Sequence, residues 1–392
     1  MRRKLYIDWW ILAIIAALGT ISVLGIFSAK ALFPPSDWAN QEIKQIMWFG
    51  VGTVGSFIML WWGNDRLGRL AWPLYIIGII SLLGLYTPLG LNINNATRWY
   101  AIPGIGTLQP SEFVKIFVII LLAKLAADHH EKFPKMTAGN YRLLFFKLLV
   151  VAGIPAALIF QQPDTGLATV IIISMLAIML AAGIPFRYFI TVGGAAFAAV
   201  GGAVGLFVVT NGAFYSAIPQ IGYRIERIVN WLIPNGSVET SGDNYQLMQG
   251  MIAMGSGGLE GHGFQSSAVF IPEGQNDFIF STISADFGFF VGLAIIILSF
   301  LLLLRIFIVL AKSKNKFHSY MAAGFIGMIA FQQMFNIGMT MGLMPVKGMT
   351  LPFISYGGTS LLSYFLVIGI MLSIHNENKR LENSGFAKIN TI

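Results

Sequence analysis

Apolar residues fill this chain in long blocks, cut by short polar or Gly/Pro breaks. Ten blocks stand out, at roughly 9–28, 45–62, 72–89, 111–127, 143–160, 166–183, 187–210, 278–304, 318–342 and 355–374. Most approach the ~20 residues that a helix needs to cross a hydrocarbon core. Helices are required there, because lipid cannot satisfy free backbone N–H and C=O groups. Two breaks, "QQPDTG" at 161–166 and "GIPFR" at 183–187, leave room only for hairpin turns. The one long break, about 211–277, carries no independent domain, which marks a functional loop. The pattern predicts an all-α polytopic membrane protein of about ten transmembrane helices, a single domain over 1–392. Its one long loop lies between helices 7 and 8.

Composition agrees. Of the 392 residues, 56% are hydrophobic and 11% charged, where an average soluble domain is about a quarter charged. The mean hydropathy is +0.73. The net charge of +8 then reads as cationic cytoplasmic loops rather than as a nucleic-acid surface. With the N-terminus inside, seven of the 25 Lys and Arg fall in outer segments: Lys30, Lys44, Arg98, Lys115, Arg224, Arg227 and Lys347. The rest are inner, which supports ten spans with both termini cytoplasmic and the long loop extracytoplasmic. The start of the chain imitates a secretory signal, with Arg2, Arg3 and Lys4, an apolar stretch, and small residues at Ala29 and Ala31. That stretch, Trp9 to Phe27, is longer than a typical h-region, so it is read as a retained first span. Zero cysteines exclude disulfides, thiolate nucleophiles and thiolate metal sites.

Ionisable groups in or beside spans are costly and are functional candidates. In "NNATRWYAIPGIGTLQPSEFVKI", Glu112 and Lys115 share one face of a helix that starts at Pro110. They are a self-neutralising ion pair, or they also line a polar cavity open to the outer leaflet. Arg98 and Trp99 are either interfacial anchors or ligand contacts. Asp164 follows a proline and reads as a helix cap. "GYRIERIVNWL" forms an amphipathic surface helix carrying Arg224 and Arg227. Six glycines within 250–263 permit a tight turn or the close approach of a ligand. In "PEGQNDFIF", 272–280, Asp277 stands immediately before an apolar span. It is either a helix cap or a general base partly desolvated at the membrane boundary. Asp286, two turns further in, has no obvious role. Gly357, Gly358, Thr359 and Ser360 let helices pack closely.

These motifs, in order over some 300 residues, resemble the RodA/FtsW/SpoVE (SEDS) family. Matching stretches include "RWYAIPGIGTLQPSEFVKI", "QQPDTG", "MIAMGSGGLEGHGF", residues 271–289 and "NIGMTMGLMPVKGMTLPFISYGGTSLL". The resemblance implies a peptidoglycan glycosyltransferase of the bacterial cell membrane. Such a protein polymerises lipid II at the outer face beside a class B penicillin-binding protein, within an elongation or division complex. The family's essential acid then falls on Asp277, its loop tryptophan on Trp99, its polar pair on Glu112 and Lys115, and its loop arginine on Arg227. Asn276 departs from the Thr that relatives often carry there. Short tails favour a RodA-like elongation role.

Joining sugars on a polyprenyl pyrophosphate needs a base for the acceptor hydroxyl, cations for the leaving pyrophosphate and a lipid-open groove. Asp277 is the expected base. Arg98, Arg227, Lys115 and Lys347 are expected pyrophosphate contacts, with Glu273 in support. Mg²⁺ or Mn²⁺ suits such oxygen ligands, and no organic cofactor is expected. The alternatives are a lipid II flippase and a non-catalytic scaffold for a penicillin-binding protein.

Overall fold

The computed structural model describes residues 5–30, 40–64, 66–93, 96–103, 106–232, 243–266 and 269–389. Arg2, Arg3, Lys4 and Ala31 lie outside these residues. Twelve α-helices occur among them, and ten coincide with the predicted apolar blocks. They are α1 (Trp9–Ala29), α2 (Gln41–Trp62), α3 (Leu67–Gly84), α4 (Pro110–Lys132), α5 (Ala138–Gln161), α6 (Thr165–Ala181), α7 (Phe186–Thr210), α10 (Ile279–Ala311), α11 (Lys316–Thr340) and α12 (Gly358–Ile389). Seven helices are long and apolar enough to cross a membrane, making this a multi-pass membrane protein. The long loop holds the other two, α8 (Pro219–Leu232) and α9 (Asp243–Gly257), after a short 3-10 turn at Ala213–Ala217.

The first outer loop corrects the all-helical expectation. It folds into a three-stranded antiparallel sheet, β1 (Gly90–Ile93), β2 (Ala96–Ile102) and β3 (Gly106–Leu108). Leu91 pairs with Trp99 and Tyr100 with Leu108. The strands are too short, and too broken by Asn and Gly, to show an alternating pattern over enough residues to be read. The sheet is pinned at both edges of the bundle. The Tyr100 hydroxyl donates to the Ser81 carbonyl of α3 at 2.7 Å, and Thr359 Oγ1 of α12 donates to the Thr107 carbonyl at 3.1 Å.

Small residues set the helix packing. An added Cβ at Gly25 of α1 would lie 2.4 Å from Ile283 of α10, and one at Gly52 of α2 would lie 2.3 Å from Phe365 of α12. Gly358 meets Trp48 in the same way, at 2.5 Å. Thus α1 packs into the bundle against α10. In contrast α7 has no buried residue along its 25 residues.

The glycine-rich segment resolves toward backbone packing. α10 breaks at Gly288, where φ is 78° and ψ −178°. The turn after α9 fills that break: Phe289 N donates to the Gly258 carbonyl at 3.0 Å, His262 N to the Ala285 carbonyl at 3.0 Å and Gly263 N to the Asp286 carbonyl at 2.9 Å. A Cβ at Gly261, itself at φ +80°, would sit 2.3 Å from the Asp286 carbonyl oxygen. The glycines therefore admit α10's own backbone, and Asp286 is buried at the clamp (2% exposed).

Candidate functional site

Asp277 ends the loop 271–277, which several hydrogen bonds hold in place. Glu273 takes a left-handed conformation (φ 53°), sparsely populated for a residue with a side chain. That turn lets Asn276 N and Phe278 N both donate to the Glu273 carbonyl, at 2.9 and 3.2 Å. Asn276 Nδ2 also donates to Glu273 Oε2 at 2.7 Å, so the departure at 276 has a local structural role. Ser355 Oγ donates to the Asn276 carbonyl at 2.7 Å. Asn336, near the C-terminal end of α11 and fully buried, donates through Nδ2 to the carbonyls of Asp277 (2.8 Å) and Met349 (2.6 Å). One amide thus ties the acid's backbone to the loop 343–357. Gly348 of that loop lies against the carboxylate: an added Cβ would stand 3.2 Å from Asp277 Oδ2.

The helix-cap expectation for Asp277 is overturned. α10 begins at Ile279, its cap residue is Phe278, and no side chain caps it. With the helix displaced by one residue, the Asp277 carboxylate is free of the helix end and faces a cluster of charges. Burial pushes its pKa up from 3.8 to about 7, the nearby carboxylates of Glu273 and Asp164 push the same way, and Arg98 and Arg227 pull it back. A carboxylate that is half ionised near neutral pH matches what a general base needs.

Asp164 caps α6 as expected, its Oδ1 accepting from Leu167 N at 3.0 Å. Its other oxygen turns toward the sheet. Gln109 Nε2 donates to Oδ2 at 2.9 Å, and Arg98 Nη1 stands 4.0 Å from it. Burial raises the pKa of Asp164, against the pull of Arg98. Arg98 lies 5.5 Å from the Trp99 ring centroid, and its Nε is buried without a hydrogen-bond partner. An arginine with one side tied and one donor unspent is poised for an anion.

The loop helix α8 completes the cationic wall. Arg227 Nη2 donates to the Tyr223 hydroxyl at 2.6 Å, and Arg224 Nη2 donates to the Phe160 carbonyl at 2.8 Å while lying over that ring. Lys347 sits 5.6 Å from the Phe335 ring centroid. Burial depresses its pKa, as do Arg227 and Arg224, partly offset by Asp164. The structure therefore gathers Asp277, Glu273, Asp164, Arg98, Trp99, Arg224, Arg227 and Lys347 at one end of the bundle.

Glu112 and Lys115 differ from expectation. They form the expected ion pair in α4, but Lys115 is 0% and Glu112 4% exposed. Lys115 Nζ packs 4.4 Å from the Tyr364 ring centroid, and Ser363 Oγ donates to Glu112 at 3.4 Å. In this conformation the pair is buried and does not line an open cavity, and both charges are felt at Asp164. The sequence reading missed Asn336 and the second face of Asp164. A lone Asn amid an apolar span was the available signal for the first.

Among the described residues, no group of three or more His, Cys, Asp or Glu side chains could hold a metal ion. Asp277 and Glu273, both oxygen donors, are the pair that could share an ion with a ligand's phosphate oxygens.

Stage V sporulation protein E of Bacillus subtilis is 30% identical over 386 residues, covering 95% of this chain and 98% of its own length. A probable peptidoglycan glycosyltransferase FtsW of Enterococcus hirae is 32% identical over 402 residues, with coverages of 98% and 96%. A solved chain of a peptidoglycan synthase complex superposes with a TM-score of 0.72 at 25% identity, covering 96% of this chain and 99% of that one. The rod shape determining protein RodA of Thermus thermophilus gives 0.65 at 25% identity, with coverages of 95% and 98%. Residues 6–380 match the family described as cell cycle protein, FtsW/RodA/SpoVE, and the chain belongs to that family.

Proposed function

We propose that this protein is a peptidoglycan glycosyltransferase that polymerises lipid II at the outer face of the bacterial cell membrane, with Asp277 as the general base. The observation that carries the reading is a half-buried carboxylate whose pKa is pushed up to about 7, in a charge cluster with Arg98 and Arg227. Asp277 accepts the proton of the acceptor sugar's hydroxyl as its oxygen attacks the anomeric carbon of the donor sugar. The bond from that carbon to the prenyl pyrophosphate breaks, and the cations take up the charge of the departing group. A pyrophosphate leaves without a general acid, so the second carboxylate of glycosidases is not required. Glu273 tunes the base, and Asp164 holds Arg98. Trp99 offers a face for a sugar. Mg²⁺ or Mn²⁺, held by Asp277 or Glu273 with the pyrophosphate, would supply further charge neutralisation there.

α7 supports a lipid-linked substrate. None of its residues is buried, and the short 3-10 turn at Ala213–Ala217 joins it to the helix that carries Arg224 and Arg227. A prenyl chain can therefore lie along it within the bilayer. Names of relatives, and the synthase complex among the structural neighbours, support a glycosyltransferase working beside a cross-linking penicillin-binding protein in elongation or division. A ten-span topology with both termini in the cytoplasm would put the acid cluster outside. A flippase is less well supported, because a transporter needs polar groups through the membrane's depth, whereas these gather at one end.

The test supplies the purified chain, with its transpeptidase partner, with fluorescent lipid II and resolves products on a gel. A ladder of glycan strands is expected. Movement of lipid II across a liposome bilayer without polymer would replace this reading with transport.

A further inference from the structure

At the end of the bundle remote from Asp277 lies a cavity of about 530 Å³, within the size range of small-molecule sites. It forms where Asn64 in the turn between α2 and α3, the first turn of α3, the last turns of α4 and the start of α11 meet. Its charged lining is Arg69, Lys124, Lys316, Asp128 and Glu131, and Asn64 forms part of its wall. All three cations belong to segments read as cytoplasmic, so the cavity sits at the inner membrane surface.

Three independent features point to a ligand that is both anionic and hydrogen-bond donating. Lys124 pairs with Asp128 at 2.6 Å, but neither Arg69 nor Lys316 has an ion pair among the described residues, and both are exposed. α3 and α11 both begin at the cavity, bringing the positive ends of two long helices to it, and α3 has no side-chain cap. The third feature is Asn64, only 2% exposed. Its Nδ2 donates to the Ile370 carbonyl at 3.3 Å, yet its Oδ1 is buried with no hydrogen-bond partner. A buried acceptor in that state calls for a donor.

The mixture decides the chemistry. Cations and helix ends suit a phosphate, whereas Asp128, Glu131 and Asn64 Oδ1 suit an ammonium close beside it. A purely anionic ligand would leave the acids opposed. Within three residues of Asn64 and Arg69 in sequence stand exposed tryptophans: Trp61 is 79% exposed, Trp62 38% and Trp72 49%. Exposed tryptophans gather at headgroup level.

We propose that this cavity binds a phosphoethanolamine group, carried by a phospholipid of the inner leaflet. The phosphate sits between Arg69, Lys316 and the starts of α3 and α11. The ammonium donates to Asn64 Oδ1 and the two acids. Such a site would seat a lipid against α3, α4 and α11 and hold their inner ends together.

The full-length protein, purified in detergent and titrated with defined lipids, is read by native mass spectrometry. Phosphatidylethanolamine should be retained about tenfold more than phosphatidylcholine, which has the same phosphate but no ammonium hydrogens. The double variant Arg69→Gln/Lys316→Gln changes two exposed side chains, so its melting temperature should match wild type while its phosphatidylethanolamine retention falls to the phosphatidylcholine level. Glu131→Gln should narrow the preference for ethanolamine over glycerol headgroups. Equal retention of the ethanolamine and choline lipids, or undiminished retention by the double variant, overturns the proposal. Displacement of the lipid by an equal concentration of free phosphoethanolamine would overturn the lipid source and assign the site to a soluble phosphate ester.

Discussion

Replacing Glu273 with Gln removes one negative charge beside Asp277 and little else. The amide keeps the acceptor that Asn276 Nδ2 uses at 2.7 Å, and the side chain is exposed, so folding should be undisturbed. Asp277 is raised from 3.8 to about 7, with burial the largest cause and Glu273 the next. That net shift is about 4 kcal/mol at 1.36 kcal/mol per unit. If Glu273, the second of the three raising causes, supplies about one unit of that rise, its charge is worth roughly 1.4 kcal/mol. The variant's base should therefore titrate near pH 6 rather than 7. At about pH 6 the ionised fraction rises from roughly a tenth to roughly a half, so polymerisation should be about fivefold faster than wild type. Above about pH 8 the two should converge, both being ionised. The assay is initial-rate polymerisation of fluorescent lipid II across pH. An acid limb that stays in place, or moves upward, refutes the electrostatic account of Asp277.

The remaining predictions concern stability and the network around the base. A carboxyl with a raised folded pKa keeps its proton in the folded state between about pH 4 and 7 while the unfolded chain loses it, so stability should fall as pH rises through that window. Asp277→Asn should therefore equal wild type near pH 4 and exceed it near pH 8, by no more than about 4 kcal/mol, as thermal melts in detergent can read. Glu112→Gln or Lys115→Met alone leaves a buried charge unpaired and should cost about 3–5 kcal/mol, whereas the double substitution should cost less than the sum. Asn336→Leu orphans the carbonyls of Asp277 and Met349 and should cost about 1–3 kcal/mol for each, with a lower polymerisation rate. Gly261→Ala meets the Asp286 carbonyl at 2.3 Å from a positive φ and should lower the melting temperature by several degrees.

Hydropathy made the bundle legible because lipid imposes one rule on every spanning segment. Each of the ten blocks met a helix, although α10 and α12 continue well past the predicted ends. Polar residues past the apolar stretch carry α12 onward, where hydropathy has no signal. The sheet at 90–108 was not legible, because its strands hold their place through Tyr100 and Thr359 rather than through an apolar face. Asp277 was legible as an acid at a span mouth, but not as uncapped. That depends on Phe278 rather than Asp277 taking the cap position, a one-residue shift that no pattern fixes. The glycines at 257–263 permitted either a ligand or a backbone neighbour, and only the break at Gly288 in α10 chose between them. Asp164 was read as a cap and is one. Its second oxygen, turned to Arg98, became visible once the sheet was placed beside the turn at 161–166.

The most direct test of the central claim is lipid II polymerisation by purified Asp277→Asn, compared side by side with Glu273→Gln and wild type at about pH 7.5. The account predicts that Asp277→Asn loses about 10²–10⁴-fold in rate with its melting temperature preserved or raised, while Glu273→Gln makes full-length strands. Strands formed by Asp277→Asn at a rate near wild type would contradict it.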